Sequence, residues 1–376
     1  MKILMVVNWY TTKGNDKIDV GTFHYDQSMN LIEHGCEVAI YYPHDENLEE
    51  PESCEVEWGL LTYRTRLNNS DKRGSKKQRD LTFERIMREF KPDVIHAHCA
   101  VKAGLYAVKW AKEHKLPLMV TEHWQVELSH MDRFGIAWAI GRYVYGKSKA
   151  NVCVSPDLQR KLSNIYKGYE FQVIYNGTMK PENLDPTNDY RVPDCVNASI
   201  VASFWDKESK GFQFLLPALK SLKDKGTKIM IHHLGGGQYL DYYKQMTADL
   251  GVEDCIRFYG PQDHKVVYEV MNQMDFCISA SLNETAGVTM QEAILLAKPV
   301  LGTKSGGVNS LVPEGAGLIV DKGSAKALED GISYMISNLD SFDREWIKNY
   351  GFNHFEIGHI SEKYIQVYTK LCEKGY

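Results

Sequence analysis

The chain of 376 residues lacks several features, and each absence excludes a class. No apolar run approaches the roughly 20 residues that a helix needs to cross a bilayer. The opening stretch, "MKILMVVNWY", is too short for the apolar part of a signal peptide and has no cleavage site after it. It reads as a first buried strand, and the expectation is a cytoplasmic protein. There is no Cys-x-x-Cys pair. The cysteines Cys36, Cys54, Cys99, Cys153, Cys195, Cys255, Cys277 and Cys372 are scattered, mostly through apolar runs, as reduced core residues would be. There is no excess of positive charge. The formal net charge is -5, so nothing draws the whole chain to nucleic acid. No Asp-x-Asp, internal repeat or low-complexity segment is found.

What remains is an ordinary globular composition, 43% hydrophobic and 25% charged, in a chain long enough for about two domains of about 150–200 residues. Short apolar runs alternate with helix-like stretches. The first half offers strands at Ile3–Val7, Val38–Tyr42, Val94–His96, Leu118–Thr121, Ala150–Val154 and Gln172–Tyr175. Helical patterns lie between them at Thr22–His34, Phe83–Phe90, Gly104–His114 and Pro156–Ile165. Strands that are apolar throughout and joined by helices predict a parallel sheet covered on both faces. A polar, proline-bearing stretch from Asn176 to Cys195 interrupts the pattern and reads as a linker. The alternation then restarts, with strands at Ser199–Ala202, Lys228–Leu234, Ile256–Tyr259, Phe276–Ser279, Pro299–Gly302 and Gly317–Ile319. Helical patterns separate these too, at Phe212–Lys223, Leu240–Leu250 and Val266–Asn272. Two doubly wound α/β domains in tandem, facing each other across a cleft, are expected.

Ligands of open parallel sheets bind beyond the carboxyl ends of the strands. The stretch "SLNETAGVTMQEAILLAKPV", Ser281–Val300, begins at such an end. A helix is predicted from Val288 to about Leu296. Its first amides lack internal acceptors and attract anions, and Gly287 lets a phosphate come close to the backbone. Glu284 lies before the helix and Glu292 inside it. The separation, bounded at roughly 12 Å by the helical rise, is about the span of a nucleotide-diphosphate sugar from sugar to ribose. Carboxylates accept hydrogen bonds from vicinal hydroxyls, so one acid suits a sugar and the other a ribose. The plainer reading makes Glu284 a loop residue near a helix start and Glu292 a solvated one.

The segment "NETAGVTMQEAILLAKPVLGTKSGGVNSLV" resembles the donor-site signature of the retaining glycosyltransferases of family 4, glycosyl transferases group 1, which have the GT-B fold. The resemblance runs through "DVIHAHCAVKAG", "VTEHWQ", "VCVSPDLQRKL" and "VIYNGTM" in the first half. In the second half it runs through "SIVASFWDKESKGFQFLLPAL", "IHHLGGGQ" and "IRFYGPQDHKVVYEVMNQMDFCISAS". It implies a GT-B architecture of two Rossmann-like domains. Residues 1–176 would be an acceptor-side domain, 177–195 a linker and 196–342 the nucleotide-sugar-binding domain. The C-terminal helices of 343–376 would pack back toward the first domain.

The resemblance also implies roles. Glu284 would bind hydroxyls of the donor sugar and Glu292 the ribose. The amides of Gly287 and Val288, next to Ala286, would face the diphosphate or sugar, and Lys210 would neutralise a phosphate. Tyr259 and Gly260 would line the base pocket. Gly21 and Thr22 would lie under the diphosphate, and His123 would reach the donor sugar near the reacting centre. His98, Trp124 and His96 would line the acceptor side. His96 and His98 also have a spacing that suits metal ligands, but no third ligand is evident in the sequence. No cofactor and no metal are expected.

Departures from the family pattern accompany these roles. An arginine common after the strand Ser199–Ala202 is replaced by Ser203, before a longer loop to Lys210. Ala286 stands where an aromatic residue is common, and Ala297 where a glycine is. The implied reaction is transfer of a hexose from a nucleotide sugar, a UDP-sugar foremost, to a hydroxyl of a glycan or glycolipid acceptor, with retention and without metal, in surface-polysaccharide synthesis. Two alternatives stay open: a nucleotide-sugar 2-epimerase on the same fold, and a non-catalytic nucleotide-sugar-binding subunit. A dinucleotide oxidoreductase is disfavoured, because Gly235–Gly237 lacks the Gly-x-Gly-x-x-Gly spacing. Finally, residues 62–91 hold ten basic residues, Arg64 to Lys91, against four acids. This run reads as a solvated surface that could also meet an anionic membrane on the inner face of the plasma membrane, or a polyanionic acceptor.

Overall fold

The computed structural model describes residues 1–15, 20–123, 135–179, 184 and 188–373. The chain divides into one unit of Met1–Gly177 with Ile357–Tyr376, and a second of Thr178–Glu356. Each is built on its own sheet.

The first sheet contains β1 (Lys2–Val6), β2 (Glu37–Asp45), β3 (Glu52–Glu57), β4 (Leu60–Arg66), β5 (Val94–His98), β6 (Leu118–Glu122), β7 (Ala150–Cys153) and β8 (Gln172–Val173). Their order is β3-β4-β2-β1-β5-β6-β7-β8. Only β3 runs antiparallel, as a hairpin with β4 at the edge. The parallel register sets Met5 beside Ile40 and His96, and His98 beside Thr121. The apolar strands are buried on both faces, as their unbroken hydrophobic runs require.

The second sheet contains β9 (Val196–Val201), β10 (Ile229–Leu234), β11 (Ile256–Phe258), β12 (Phe276–Ser279), β13 (Val300–Thr303) and β14 (Gly317–Val320). The order β11-β10-β9-β12-β13-β14 is wholly parallel. The chain winds outward from β9 in one direction and from β12 in the other. A crevice is therefore expected where the carboxyl ends of β9 and β12 lie side by side.

The predicted strands are all present, with ends shifted by a residue or a few. Some elements were missed and some readings need correcting. The hairpin of β3 and β4 and the helix Ile136–Lys147 were not foreseen. The helix predicted at Phe83–Phe90 begins much earlier, running over Lys72–Glu89 from Asp71, whose carboxylate caps Gly74 N at 2.8 Å. The basic run of residues 62–91 is not one exposed surface. Arg64 on β4 is fully buried, donating through Nε and Nη2 to Glu57 (2.9 and 2.6 Å) and through Nη1 to Asp45 (2.7 Å). Arg79 is buried over the ring of Tyr106. Phe83 and Ile86 turn the apolar edge of the helix into the core.

The presumed linker ends bound to the second sheet. Tyr190 N donates to Gln273 Oε1 at 2.8 Å, and Arg191 grips both oxygens of Asp275 at 3.0 Å. At the other end, helix Arg344–Phe355 packs on helix Val288–Leu295 within the second unit. Only Ile357–Glu373 returns to the first, where Ile360, Tyr364, Tyr368 and Leu371 complete the core beneath β1 and β5.

Removing the cation from the Arg64 cluster leaves two buried carboxylates without compensation. Arg64→Ala should destabilise the first unit by about 3–5 kcal/mol. An earlier first transition in urea denaturation, with the second transition unmoved, is the expected result.

Candidate functional site

In the second unit, the sequence between β9 and the helix Phe212–Asp224 forms a tight loop. Asp206 accepts from the amides of Glu208 and Ser209 and from the Ser209 hydroxyl. Gly211 then starts the helix at φ 69°. A Cβ there would lie 1.9 Å from the carbonyl oxygen of Ala280, at the end of β12. Only glycine permits that approach. Ser209 O accepts from Leu282 N at 2.7 Å, which joins the two loops further.

This contact sets Lys210 beside Glu284. Lys210 Nζ donates to Glu284 Oε2 at 3.0 Å, with both side chains about a quarter exposed. The backbone of Glu284 pairs with the loop after β13, through Glu284 N to Ser305 O (2.9 Å) and Gly307 N to Glu284 O (2.7 Å). Lys210 and Glu284 line a cavity of about 120 Å³ whose other walls are Ile200–Ala202, Ile278–Ser281, Val288 and Thr289. It lies at the crevice between the ends of β9 and β12. The helix Val288–Leu295 begins at this wall. Its N-cap is Gly287 at φ 61°, where a Cβ would meet Leu311 at 2.7 Å.

Of the residues singled out from sequence, Lys210, Glu284 and Val288 line the cavity, and Gly287 caps the adjoining helix. Ala286 is buried just before it. Ser203, Tyr259, Gly260 and Glu292 are not on the cavity wall. Ser203 follows β9. Phe204 N donates to Gly236 O and Gly235 N to Gly260 O, so the triple glycine joins loop ends. Tyr259 Oη pairs with His232 Nδ1 at 2.9 Å, and its ring meets Tyr190 edge-on. Glu292 is buried. Its Oε1 accepts from His264 Nε2 at 2.8 Å and from the Tyr268 hydroxyl at 3.4 Å. Neither partner was singled out from sequence, because nothing local links residues of the helix His264–Gln273 to Glu292.

In the first unit, the strand ends carry histidines. Gly21 is buried at φ 74° as the N-cap of helix Thr22–Glu33, and Thr22 is exposed. His98 Nδ1 and His123 Nε2 share a hydrogen bond at 2.8 Å, with ring planes 17° apart. His24 stands edge-on to both rings. His96 is engaged otherwise, its Nε2 with Thr121 Oγ1 and its Nδ1 with the Tyr368 hydroxyl, each at 2.7 Å. Trp124 lies outside the described residues. Glu122, which was not anticipated, supports the site. One of its oxygens accepts from Ala100 N and the Tyr145 hydroxyl, the other from His123 N. Cys99, just past His98, is held at φ 74°, a strained backbone for a residue with a side chain.

The third potential ligand that the sequence did not reveal is His24. Nitrogens of His24, His98 and His123 fall within 4.8 Å of one another. Two of these nitrogens, His98 Nδ1 and His123 Nε2, are joined directly by their hydrogen bond. Here one imidazole donates nearly in plane to the next, and the third ring is edge-on. Burial pushes all four imidazoles toward the neutral form. His96 and His123 fall to about 3, and burial, then neighbouring histidines, holds His24 and His98 well below the usual imidazole range. The cluster can thus offer neutral donors and acceptors, not charge.

Residues 202–351 match the model of the glycosyl transferases group 1, and residues 20–178 that of glycosyltransferase family 4. A glycosyltransferase of Methanocaldococcus jannaschii is 25% identical over 80% of this chain and 87% of its own length. Sucrose-phosphate synthase from Thermosynechococcus elongatus superposes with a TM-score of 0.80 at 16% identity, covering 100% of both chains. The Anabaena protein HepE in complex with UDP superposes with a TM-score of 0.75 at 17% identity, over 98% of this chain and 100% of that one.

Two outcomes follow from this geometry. Gly211→Ala must push the loops apart and should destabilise the second unit by about 2 kcal/mol or more, through a left-handed residue with a side chain and an overpacked contact. Urea denaturation measures it. For the histidines, a folded pKa below the unfolded one means that the unfolded chain binds more protons. The first unit should therefore lose stability as pH falls below about 6.5, by about 1 kcal/mol per buried histidine at pH 5.5. The loss should continue toward about 3, where His96 and His123 themselves protonate. An unchanged urea midpoint between pH 7 and 5.5 would contradict this.

Proposed function

The chain belongs to the family 4 glycosyltransferases and has the GT-B fold, and on that footing we propose that it transfers a hexose from a UDP-sugar to a hydroxyl of a glycan or glycolipid, with retention and without a metal. One observation carries the reading: Lys210 and Glu284 meet across a small cavity at the crevice of the second sheet, beside the start of a helix. A diphosphate there would find a cation and first-turn amides, and the adjacent sugar would find a carboxylate. Glu292 would take the ribose. The UDP bound to the structurally similar HepE supports uridine as the base.

In the proposed reaction the bond between the anomeric carbon and the diphosphate oxygen breaks. The acceptor oxygen bonds to that carbon from the same face, and its proton passes to the leaving diphosphate. Lys210 and the helix amides would stabilise the departing charge by being already in place. Glu284 and Glu292 serve as binding groups in this scheme, not as the acid/base pair of a glycosidase. In the first unit, His98 and His123 would meet substrate hydroxyls as neutral partners. The exposed Lys72, Arg73, Lys76, Lys77 and Arg88 remain the proposed contact for an anionic lipid surface. No helix among the described residues is long and apolar enough to cross a membrane.

Thermal shift with UDP-glucose, UDP-galactose, UDP-GlcNAc, UDP-GalNAc and GDP-mannose should single out one UDP-sugar. Lys210→Ala should weaken its binding by about tenfold or more, the loss of a charge-assisted contact. EDTA should leave turnover intact, and NMR of the product should show the donor's anomeric configuration. Stabilisation by none of the donors would overturn the reading. For the surface contact, charge reversal at Lys76 and Lys77 should abolish sedimentation with anionic liposomes and leave donor binding unchanged.

A further inference from the structure

Glu292 is almost wholly buried, on the helix Val288–Leu295. Its Oε1 carries both donors that reach it, His264 Nε2 at 2.8 Å and the Tyr268 hydroxyl at 3.4 Å. Among the described residues none donates to Oε2. His264 is the first residue of its helix, and its side chain is about half exposed (54%), so it reaches the carboxylate from the solvent side. Its ring leans on Tyr268, 4.5 Å between centroids, which limits its rotation.

We infer that His264 is a positioning residue that turns the Glu292 carboxylate toward the ribose diol of a nucleoside diphosphate; this rests on the ribose role proposed above for Glu292. A glutamate side chain has several rotatable bonds, and freezing them on binding weakens the complex. A hydrogen bond that holds Oε1 beforehand removes that cost and leaves Oε2 to accept from a ribose hydroxyl. The second hydroxyl of the diol can share Oε1, since a carboxylate oxygen has more than one acceptor site. His264 touches no reacting atom. Its effect should fall on donor affinity and not on the rate at saturating donor.

The test is calorimetric titration with UDP, GDP and ADP, followed by the 2′,3′-dideoxy form of the tightest binder. The proteins are the unaltered chain, His264→Ala, His264→Gln and Glu292→Ala. His264→Ala should weaken the nucleoside diphosphate by about tenfold, as loss of a hydrogen bond to a charged group would. His264→Gln should restore most of that affinity, because its amide can still donate. The dideoxy nucleotide should bind the unaltered chain and His264→Ala alike, with unchanged thermal midpoints. Equal UDP affinity in the unaltered chain and His264→Ala would overturn the inference, as would equal losses for the ribose and dideoxyribose forms. If Glu292→Ala binds the nucleotide normally, the ribose role of Glu292 fails, whatever His264 does. Binding of none of the three nucleotides overturns both.

Discussion

The contact on which the second unit's site depends is between two pieces of backbone. Gly211 lies so close to the Ala280 carbonyl that no side chain fits between them. The loop that follows β9 is thereby pressed onto the loop that follows β12. These strands are neighbours in space though far apart in sequence. Parallel topology alone puts their carboxyl ends side by side. The glycine converts that adjacency into a distance at which Lys210 reaches Glu284. Around this junction lie the cavity, the Val288 helix start on its wall, and the bridge from Glu284 to the loop after β13.

The pair so formed suits exchange better than it suits stability. Both side chains are partly exposed, and ion pairs of that kind contribute about 0–1 kcal/mol. A diphosphate arriving at Lys210 would thus displace a partner held weakly, and Glu284 would be released toward a sugar. Glu292 follows the opposite logic. It is buried and held by His264 and Tyr268, so its geometry is set in advance. One carboxylate is poised to change partners and the other to stay fixed.

The first unit assembles its polar cluster differently. Four imidazoles, three of them buried and His123 half-buried, are kept neutral by desolvation, and neutral rings need defined donors and acceptors. Tyr368 provides one for His96, from a helix whose sequence lies at the far end of the chain. The return of Ile357–Glu373 to this sheet therefore does more than cover apolar surface. It completes the hydrogen bonding of His96 on β5, the strand that also carries His98. Loss of the Tyr368 hydroxyl alone would leave His96 Nδ1 buried without a partner, at the cost of an unsatisfied buried group.

What the sequence discloses and what it hides divide along one physical line. Apolar runs reveal strands buried on both faces, because burial acts on each residue by itself. The loop, glycine and helix around Glu284 and Gly287 are legible for a similar reason: the turn, the φ and the helix start are local. Pairing is not local. Arg64 looks like its basic neighbours until Glu57 and Asp45 close on it from two other strands. His264 and His24 look like surface histidines until the fold places Glu292 beside one and His98 beside the other. Composition cannot tell a solvated cation from a buried one, since the difference resides in partners contributed by other elements. The residues most easily missed are those whose role is to hold another side chain in place. The role proposed for His264, which the sequence did not single out, is of this kind: it holds a carboxylate that the motif does mark.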